Sequence, residues 1–299
     1  MDLNRQDTPT ISVVIPCLDH SRELALCLQG LEAQAGDVSF EVLVVDGAWD
    51  ERVAEAAARF PRVRLVRARE GLTSGAARNL GVQNSAADWI AFLDADCIPG
   101  SAWVKQACGS LRDGYYMCGG PVLDLIPNHP IAWADNHLQF SDFQAGRRAG
   151  RCLYMPACNM VMPRRIFDEL GGFQESFFSA EDTLLTSLAS SSFPEKMLFN
   201  PALIVRHHGR AEWRAFLEHQ RLLGGRRSQS RSHWTPSYEW MARRPALAGL
   251  VMLRRFGYIG LRTLQYDPAS LIRLALFFPW FVAGLAAWTR GFYAGFSRK

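Results

Sequence analysis

With 299 residues, 48% of them hydrophobic and 21% charged, the chain has material for one large folded domain or two modest ones, which excludes a disordered or low-complexity protein. Its net charge of +4 conceals an asymmetry: residues 1–205 carry 17 Lys and Arg against 25 Asp and Glu, and residues 206–299 carry 16 against 4. A basic, aromatic-rich final third points to an anionic neighbour, either a membrane surface or nucleic acid.

Thr10–Ile15 is a β-branched run stopped by Pro16, predicting a first strand close to the N-terminus. Ser21 is the expected cap of a following helix whose Leu24, Cys27, Leu28 and Leu31 recur at helical spacing. Phe40–Val45 predicts a second buried strand ending at Asp46-Gly47, Asp50 opens an alanine-rich helix to about Phe60, and Val63–Val66 predicts a third strand. The loop Gly71–Asn79 passes into another helix, and Trp89–Leu93 forms a fourth strand that ends in Asp94-Ala95-Asp96. Four alternations of strand and helix predict a parallel sheet covered by helices, with ligands binding beyond the carboxyl ends of the strands. Pro16, Asp46, Gly71–Asn79 and the two aspartates all fall at that edge. In an extended chain, residues i and i+2 point to one side, so Asp94 and Asp96 can aim at one cation. Oxygen ligands of this kind select Mg²⁺ or Mn²⁺ held jointly with substrate phosphates, so a metal-held diphosphate is the working expectation.

Further along, Gly119–Val122 reads as a turn into a strand, Asn128–Arg151 as a helix or a loop over the site, and Met155–Met162 as a strand. Arg164–Leu170 is a short helix stopped by Gly171-Gly172, and Glu181-Asp182 lies in the first turn of a helix that continues through Ala189, where acids also complement the helix dipole. Leu203–Val205 is a further strand, Glu212–Leu223 an amphipathic helix, and Arg226–Arg244 a linker or surface-hugging segment. Leu274–Trp288 is uncharged, short of the ~20 residues a membrane span needs, and interrupted by Pro279. Flanking Arg273 and Arg290 favour an interfacial or re-entrant anchor, the competing reading being a buried helix. The seven cysteines are scattered without a Cys-x-x-Cys pair and the N-terminus lacks a secretory apolar region, so reduced thiols in a cytosolic compartment are expected.

In order, Ser12-Val13-Val14-Ile15-Pro16, Val44-Val45-Asp46-Gly47, Gly75-Ala76-Ala77-Arg78-Asn79, Phe92-Leu93-Asp94-Ala95-Asp96, Gly171-Gly172-Phe173 and Glu181-Asp182 resemble the family 2 glycosyltransferases of GT-A fold. The resemblance covers residues 10–225. It implies a Rossmann-like, mostly parallel sheet flanked by helices over residues 1–225; the charge and apolar runs of 226–299 mark that part as a basic linker and helical membrane-associating extension. It also implies an inverting, metal-dependent hexosyltransferase that moves one sugar from a nucleotide-diphosphate sugar, a uridine diphosphate donor being the first expectation. The acceptor would be a hydroxyl of a lipid-linked or cell-envelope glycan, with the protein at the inner face of the cell membrane. Carried over by motif, Asp96 binds Mn²⁺ or Mg²⁺ with Asp94 in the metal shell or on the ribose. Pro16 and Asp46 contact the nucleoside, Arg78 lies close to the nucleotide, Asp182 is the general base of the Glu181-Asp182 motif, and His207, with His208 as the alternative, completes the metal site. Three departures stand out: Gly47 replaces a second acid at the nucleoside turn, Thr183-Leu184-Leu185 follows the Glu-Asp pair in place of an acidic-then-Arg continuation, and Gln220–Gly224 lacks the Arg-Trp of processive synthases. Transfer of a single sugar is therefore expected. The alternative function is a catalytically inactive nucleotide-sugar-binding or membrane-recruiting partner of a glycan assembly system. Nucleic-acid binding is disfavoured because no reading motif accompanies the arginines.

Overall fold

The computed structural model describes residues 8–18, 22–34, 38–47, 49–69, 71–176, 181–229 and 236–296. The chain divides into two compact units, Met1–Pro121 with Arg148–Arg206 and Val122–Arg147 with His207–Lys299. In chain order it runs β1 (Ile11–Cys17), α1 (Leu24–Glu32), β2 (Phe40–Asp46), α2 (Glu51–Ala58), β3 (Val63–Arg67), α3 (Ser74–Gln83), β4 (Trp89–Leu93), β5 (Cys97–Pro99), α4 (Trp103–Arg112) and β6 (Met117–Gly119). There follow β7 (Val122–Asp124), α5 (Pro130–Phe140), β8 (Gly150–Arg151), β9 (Asn159–Pro163), α6 (Arg164–Glu169), α7 (Glu181–Ser192), β10 (Met197–Phe199) and β11 (Val205–His207). The chain ends with α8 (Trp213–Gln229), α9 (Pro236–Ala242), α10 (Ala248–Tyr266), α11 (Ser270–Leu276) and α12 (Phe278–Phe296).

The first unit is built on an eight-stranded sheet of order β3-β2-β1-β4-β9-β6-β10-β8. Its first four strands are mutually parallel, and β9 runs antiparallel between β4 and β6. Val13, Val14, Ile15, Val44, Val45, Ile90, Ala91 and Phe92 are all buried, as strands covered on both faces require. β1 does not stop at Pro16 but runs on to Cys17, because its ladder with β4 ends at Val14↔Phe92, so a missing N–H two residues later breaks no bond on that side. Asp50 caps α2 by accepting from the Arg52 N–H, whereas α1 begins at Leu24 behind Glu23 without a side-chain cap, Ser21 lying outside the described residues. β9 begins only at Asn159, so Met155–Cys158 is not strand.

The second unit is helical around a core of Trp133, Leu138, Phe216, Ile259, Phe281 and Leu285. Of the two expectations for Asn128–Arg151, helix or loop, residues 130–140 form the helix α5, with Pro130 in its first turn and His129 as its cap. α8 and α12 pack closely enough that a Cβ on Gly224 would collide with the Trp288 carbonyl, and one on Gly291 with that of Arg221. α8 is continuous through residue 225, and α9 occupies part of the expected linker. The uncharged run is broken at Phe277, and Pro279 sits in the first turn of α12, where its missing N–H is tolerated. Leu274, Phe281, Leu285 and Trp288 are buried inside the unit. Among the described residues no single helix is long and apolar enough to cross a membrane; Ser270–Leu276 and Phe278–Gly295 pass that test only together, bent by 82°.

Candidate active site

β4 ends at Leu93, and the next residues turn: the Cys97 N–H donates to the Asp94 carbonyl at 3.0 Å before β5 begins. The premise of an extended chain through Asp94-Ala95-Asp96 is thereby corrected. Short acidic side chains favour a turn over continued strand. Asp94 is left half-buried and Asp96 buried.

Arg78 is brought to Asp94 by α3. Thr73 caps this helix, its Oγ1 accepting from the Ala76 N–H at 3.1 Å. The Arg78 side chain is buried, its Nη2 donating to Asp94 Oδ1 at 2.6 Å and its Nη1 to Glu181 Oε1 at 2.8 Å. Burial opposes the guanidinium charge, but Asp94 and Glu181 outweigh it and raise the pKa. The residue expected beside the nucleotide thus joins two protein carboxylates from separate motifs.

That bridge depends on how closely α3 approaches residues 173–181. A Cβ on Gly75 would stand 3.2 Å from Phe173 Cβ and 3.4 Å from Glu181 Cβ, so any larger residue pushes the segments apart. Asn79 clamps the same segment, its Nδ2 donating to the Phe173 carbonyl at 2.8 Å and its Oδ1 accepting the Phe173 N–H at 3.0 Å. Gly171 and Gly172 adopt φ of +81° and +69° to deliver Phe173 there. The motif around Asn79 does not by itself assign it this role; an amide that offers one donor and one acceptor beside a Gly-Gly turn is the available signal.

Asp182 lies in the first turn of α7, half-buried. Its Oδ1 accepts the Thr183 N–H at 2.6 Å and its Oδ2 accepts the Tyr154 hydroxyl at 3.1 Å. Burial first, and then the charge of Glu181, push its carboxyl up to about 6, with Arg78 pulling the other way. A carboxylate poised there is ionised at neutral pH and remains a competent proton acceptor. Below the aspartates, Cys27 donates to the Asp94 carbonyl at 3.7 Å and Cys97 to Asp96 Oδ1 at 3.6 Å. Burial, reinforced by the aspartates and other thiols, keeps both thiols well above their usual range, hence protonated and unreactive.

On the neighbouring strands, Pro16 pairs with Val45, and Asp46 with Cys17 on one side and Arg67 on the other. Asp46 is fully buried, accepting from Arg67 Nη1 at 2.6 Å and from the Trp49 N–H at 2.9 Å. Trp49, unmarked by the sequence reading, holds φ +53° and is 53% exposed. Its Nε1–H donates to the Ala68 carbonyl, and Arg67 stacks 5.3 Å from its ring centroid. A non-glycine residue held at positive φ with its ring facing solvent marks strain concentrated at the ligand edge of the sheet.

His207 and His208 belong to the second unit, where His207 is buried with its ring edge against Phe140 at 5.3 Å. Among the described residues no three His, Cys, Asp or Glu side chains are grouped so as to hold a metal by themselves. The hard carboxylate oxygens of Asp94 and Asp96 fit a cation whose remaining ligands are phosphates and water.

A mannosyltransferase from Pyrobaculum calidifontis, solved with GDP-Man and Mn²⁺, superimposes with a TM-score of 0.60 at 16% identity over 95% of this chain and 86% of its own. Staphylococcus aureus TarS 1–349 superimposes with a TM-score of 0.56 at 13% identity over 97% and 93%. These likenesses show a GT-A-like α/β fold. In sequence, the glycosyltransferase AglE of Haloferax volcanii is 27% identical over 62% of this chain, and the match spans 62% of that protein's length. Residues 12–171, from β1 past the Asp-Ala-Asp turn to the Gly-Gly turn that seats Phe173, match the model of glycosyl transferase family 2, and the chain belongs to that family.

Proposed function

We propose that the chain is an inverting, metal-dependent glycosyltransferase that moves one hexose from a nucleotide-diphosphate sugar to a hydroxyl of a membrane-associated glycan acceptor. The observation that carries this reading is the Asp94–Arg78–Glu181 bridge, which ties the Asp-Ala-Asp turn to the helix that presents Asp182. Asp182 takes the proton from the acceptor hydroxyl as the anomeric carbon gains oxocarbenium character, a contribution of roughly 10²- to 10⁴-fold. Glu181 faces Arg78, so of the motif pair Asp182 is the one left for the acceptor. Asp94 and Asp96 would hold Mn²⁺ or Mg²⁺, which when bound neutralises the departing diphosphate as a Lewis acid, and Arg78 holds Asp94 in position. Pro16 and Asp46 are the proposed nucleoside contacts; with Asp46 buried behind Arg67 and Trp49, the exposed Trp49 ring offers the base a flat face.

The Pyrobaculum neighbour's GDP-Man and Mn²⁺ support a divalent cation and add guanosine diphosphate sugars to the expected uridine diphosphate donors. Residues 1–225 are the proposed catalytic part and 226–299 the part that meets the inner face of the membrane. The test is a donor panel read by released nucleoside diphosphate with Mn²⁺ or Mg²⁺, with Asp182→Asn as the blank. Donor-dependent release that Asp182→Asn abolishes supports the reading; nucleotide binding without turnover on any donor replaces it with the inactive-partner reading.

A further inference from the structure

Leu274, Phe281, Leu285 and Trp288 of α11 and α12 are buried, yet the second unit also exposes apolar side chains at helical spacing. On α10, Leu250, Leu253, Leu261 and Leu264 are 51%, 64%, 61% and 57% exposed. Together with Gly257 they recur at intervals of 3 or 4 residues, which at 100° per residue confines them to an arc of roughly 80°. The opposite side of the same helix is buried through Val251, Ile259 and Thr263, so the helix is amphipathic with its second apolar stripe facing solvent. Ile272, Leu276 and Phe278, on and just after α11, are exposed as well, and the Phe278 ring meets that of Phe256 on α10 at 6.1 Å. Scattered surface leucines need no explanation, but a stripe of this length does.

Its margin carries three arginines, of which Arg262 is ion-paired with Asp142. Arg254 follows Leu253 directly on the exposed side, Tyr258 and Gln265 lie on that same flank, and Arg262 and Arg273 sit half-buried beyond it. Arg262 is turned toward Asp142 at 2.9 Å, and Tyr258 donates to the same carboxylate at 2.8 Å, which pins this flank of α10 to the segment after α5. By sequence the unit carries 16 Lys and Arg against 7 Asp and Glu. A like-charged margin disfavours a second copy across the stripe and favours an anionic partner with an apolar interior.

We infer that the exposed α10 stripe, continued by Ile272, Leu276 and Phe278, is the surface that docks on an anionic lipid bilayer, with its leucines in the acyl boundary and Arg254 at the headgroups. This deepens the membrane-associated reading above by placing the contact on α10 with the exposed Leu276 and Phe278, and not on the buried side chains of 274–288. Interfacial insertion of this kind needs no spanning helix.

The test is flotation of the full-length chain with vesicles of phosphatidylcholine, with and without phosphatidylglycerol, comparing wild type with Leu253→Gln/Leu261→Gln/Leu264→Gln. All three positions are exposed, so folding is expected to survive, and a near-UV spectrum checks it. Wild type should float with the anionic vesicles, less as salt rises, and the triple variant should lose about tenfold in partitioning for each leucine replaced. Leu26→Gln, at a 46% exposed leucine on α1, should float like wild type. Equal flotation of the triple variant and wild type overturns the inference, as does a wild-type dimer in solution that the triple variant abolishes, since that outcome assigns the stripe to a second copy. Donor turnover is read in the same samples: if wild type floats as expected but turns over no donor, the catalytic reading fails while the lipid face stands.

Discussion

The two units both bury carboxylates, under opposite conditions. In the first, Asp94, Asp96, Glu181 and Asp182 share a neighbourhood in which a single guanidinium, Arg78, serves two of them. In the second, one fully buried carboxylate, Asp135, accepts from three donors: His219 Nδ1 at 2.8 Å, Gln220 Nε2 at 2.8 Å and the Arg210 N–H at 3.2 Å. Burial works against the Asp135 charge, but His219 and Arg210 overcome it and hold the carboxyl below its usual range. Where donors outnumber the carboxylate, the charge is locked into the fold. Where carboxylates outnumber the cation, one of them is raised to about 6 and the cluster is poised for protons and cations.

The strongest way to break this contrast is to exchange the outcomes. Asp182→Asn should reduce transfer by roughly 10²- to 10⁴-fold, read as nucleoside diphosphate release, while nucleotide affinity stays within a few fold. Its stability should not fall. The folded pKa lies above that of an unfolded aspartate, so the group favours the fold only at low pH, and this contribution is lost as pH rises through about 6. At a pH of about 8 the variant should therefore match wild type in urea or gain on the order of 1 kcal/mol. Asp135→Ala should do the reverse, costing about 3 kcal/mol in urea unfolding, because it strands the buried donors of His219 and Gln220. A variant as stable as wild type would show that Asp135 is not structural.

Arg78→Met comes next. It leaves Asp94 and Glu181 without their shared cation and costs about 2–3 kcal/mol of stability. It also removes the charge that lowers the Asp182 pKa, so the acid limb of the pH–rate profile, expected near pH 6 in wild type, should move to higher pH. An unmoved limb would assign that titration to another group. The smallest expected effect is at Trp49: Trp49→Gly relieves the positive φ and removes the ring, so stability should change little while nucleotide affinity falls by about 1 kcal/mol, measured by calorimetry.

Much of the first unit was legible because its strands are continuous β-branched runs and its motifs are punctuated by Gly and Asp, signals that act within a few residues. The Asp50 cap and the α/β class followed from them, while strand ends shifted: β1 runs past Pro16, β9 begins at Asn159, and the strand expected at Leu203–Val205 is Val205–His207. The second unit was harder to read for a physical reason. Its helices are apolar on more than one side, so periodicity cannot tell a buried face from an exposed one, and within 274–288 the structure buries Leu274, Phe281, Leu285 and Trp288 while exposing Leu276 and Phe278. The α10 stripe, by contrast, drew no notice, since its leucines alternate with arginines.

By itself, the order of motifs along the chain determined the family, the parallel sheet and the gathering of Asp46, Asp94 and Arg78 at one edge, because parallel β-strand topology sends every strand's carboxyl end to the same side. Only the tertiary structure decided which acid meets which base. Arg78 could have faced phosphate, Asp94 or Glu181, and the close approach allowed by Gly75 and clamped by Asn79 commits it to both carboxylates. Contacts between residues 16 and 103 positions apart are set by packing at a helix surface, and no local pattern encodes them.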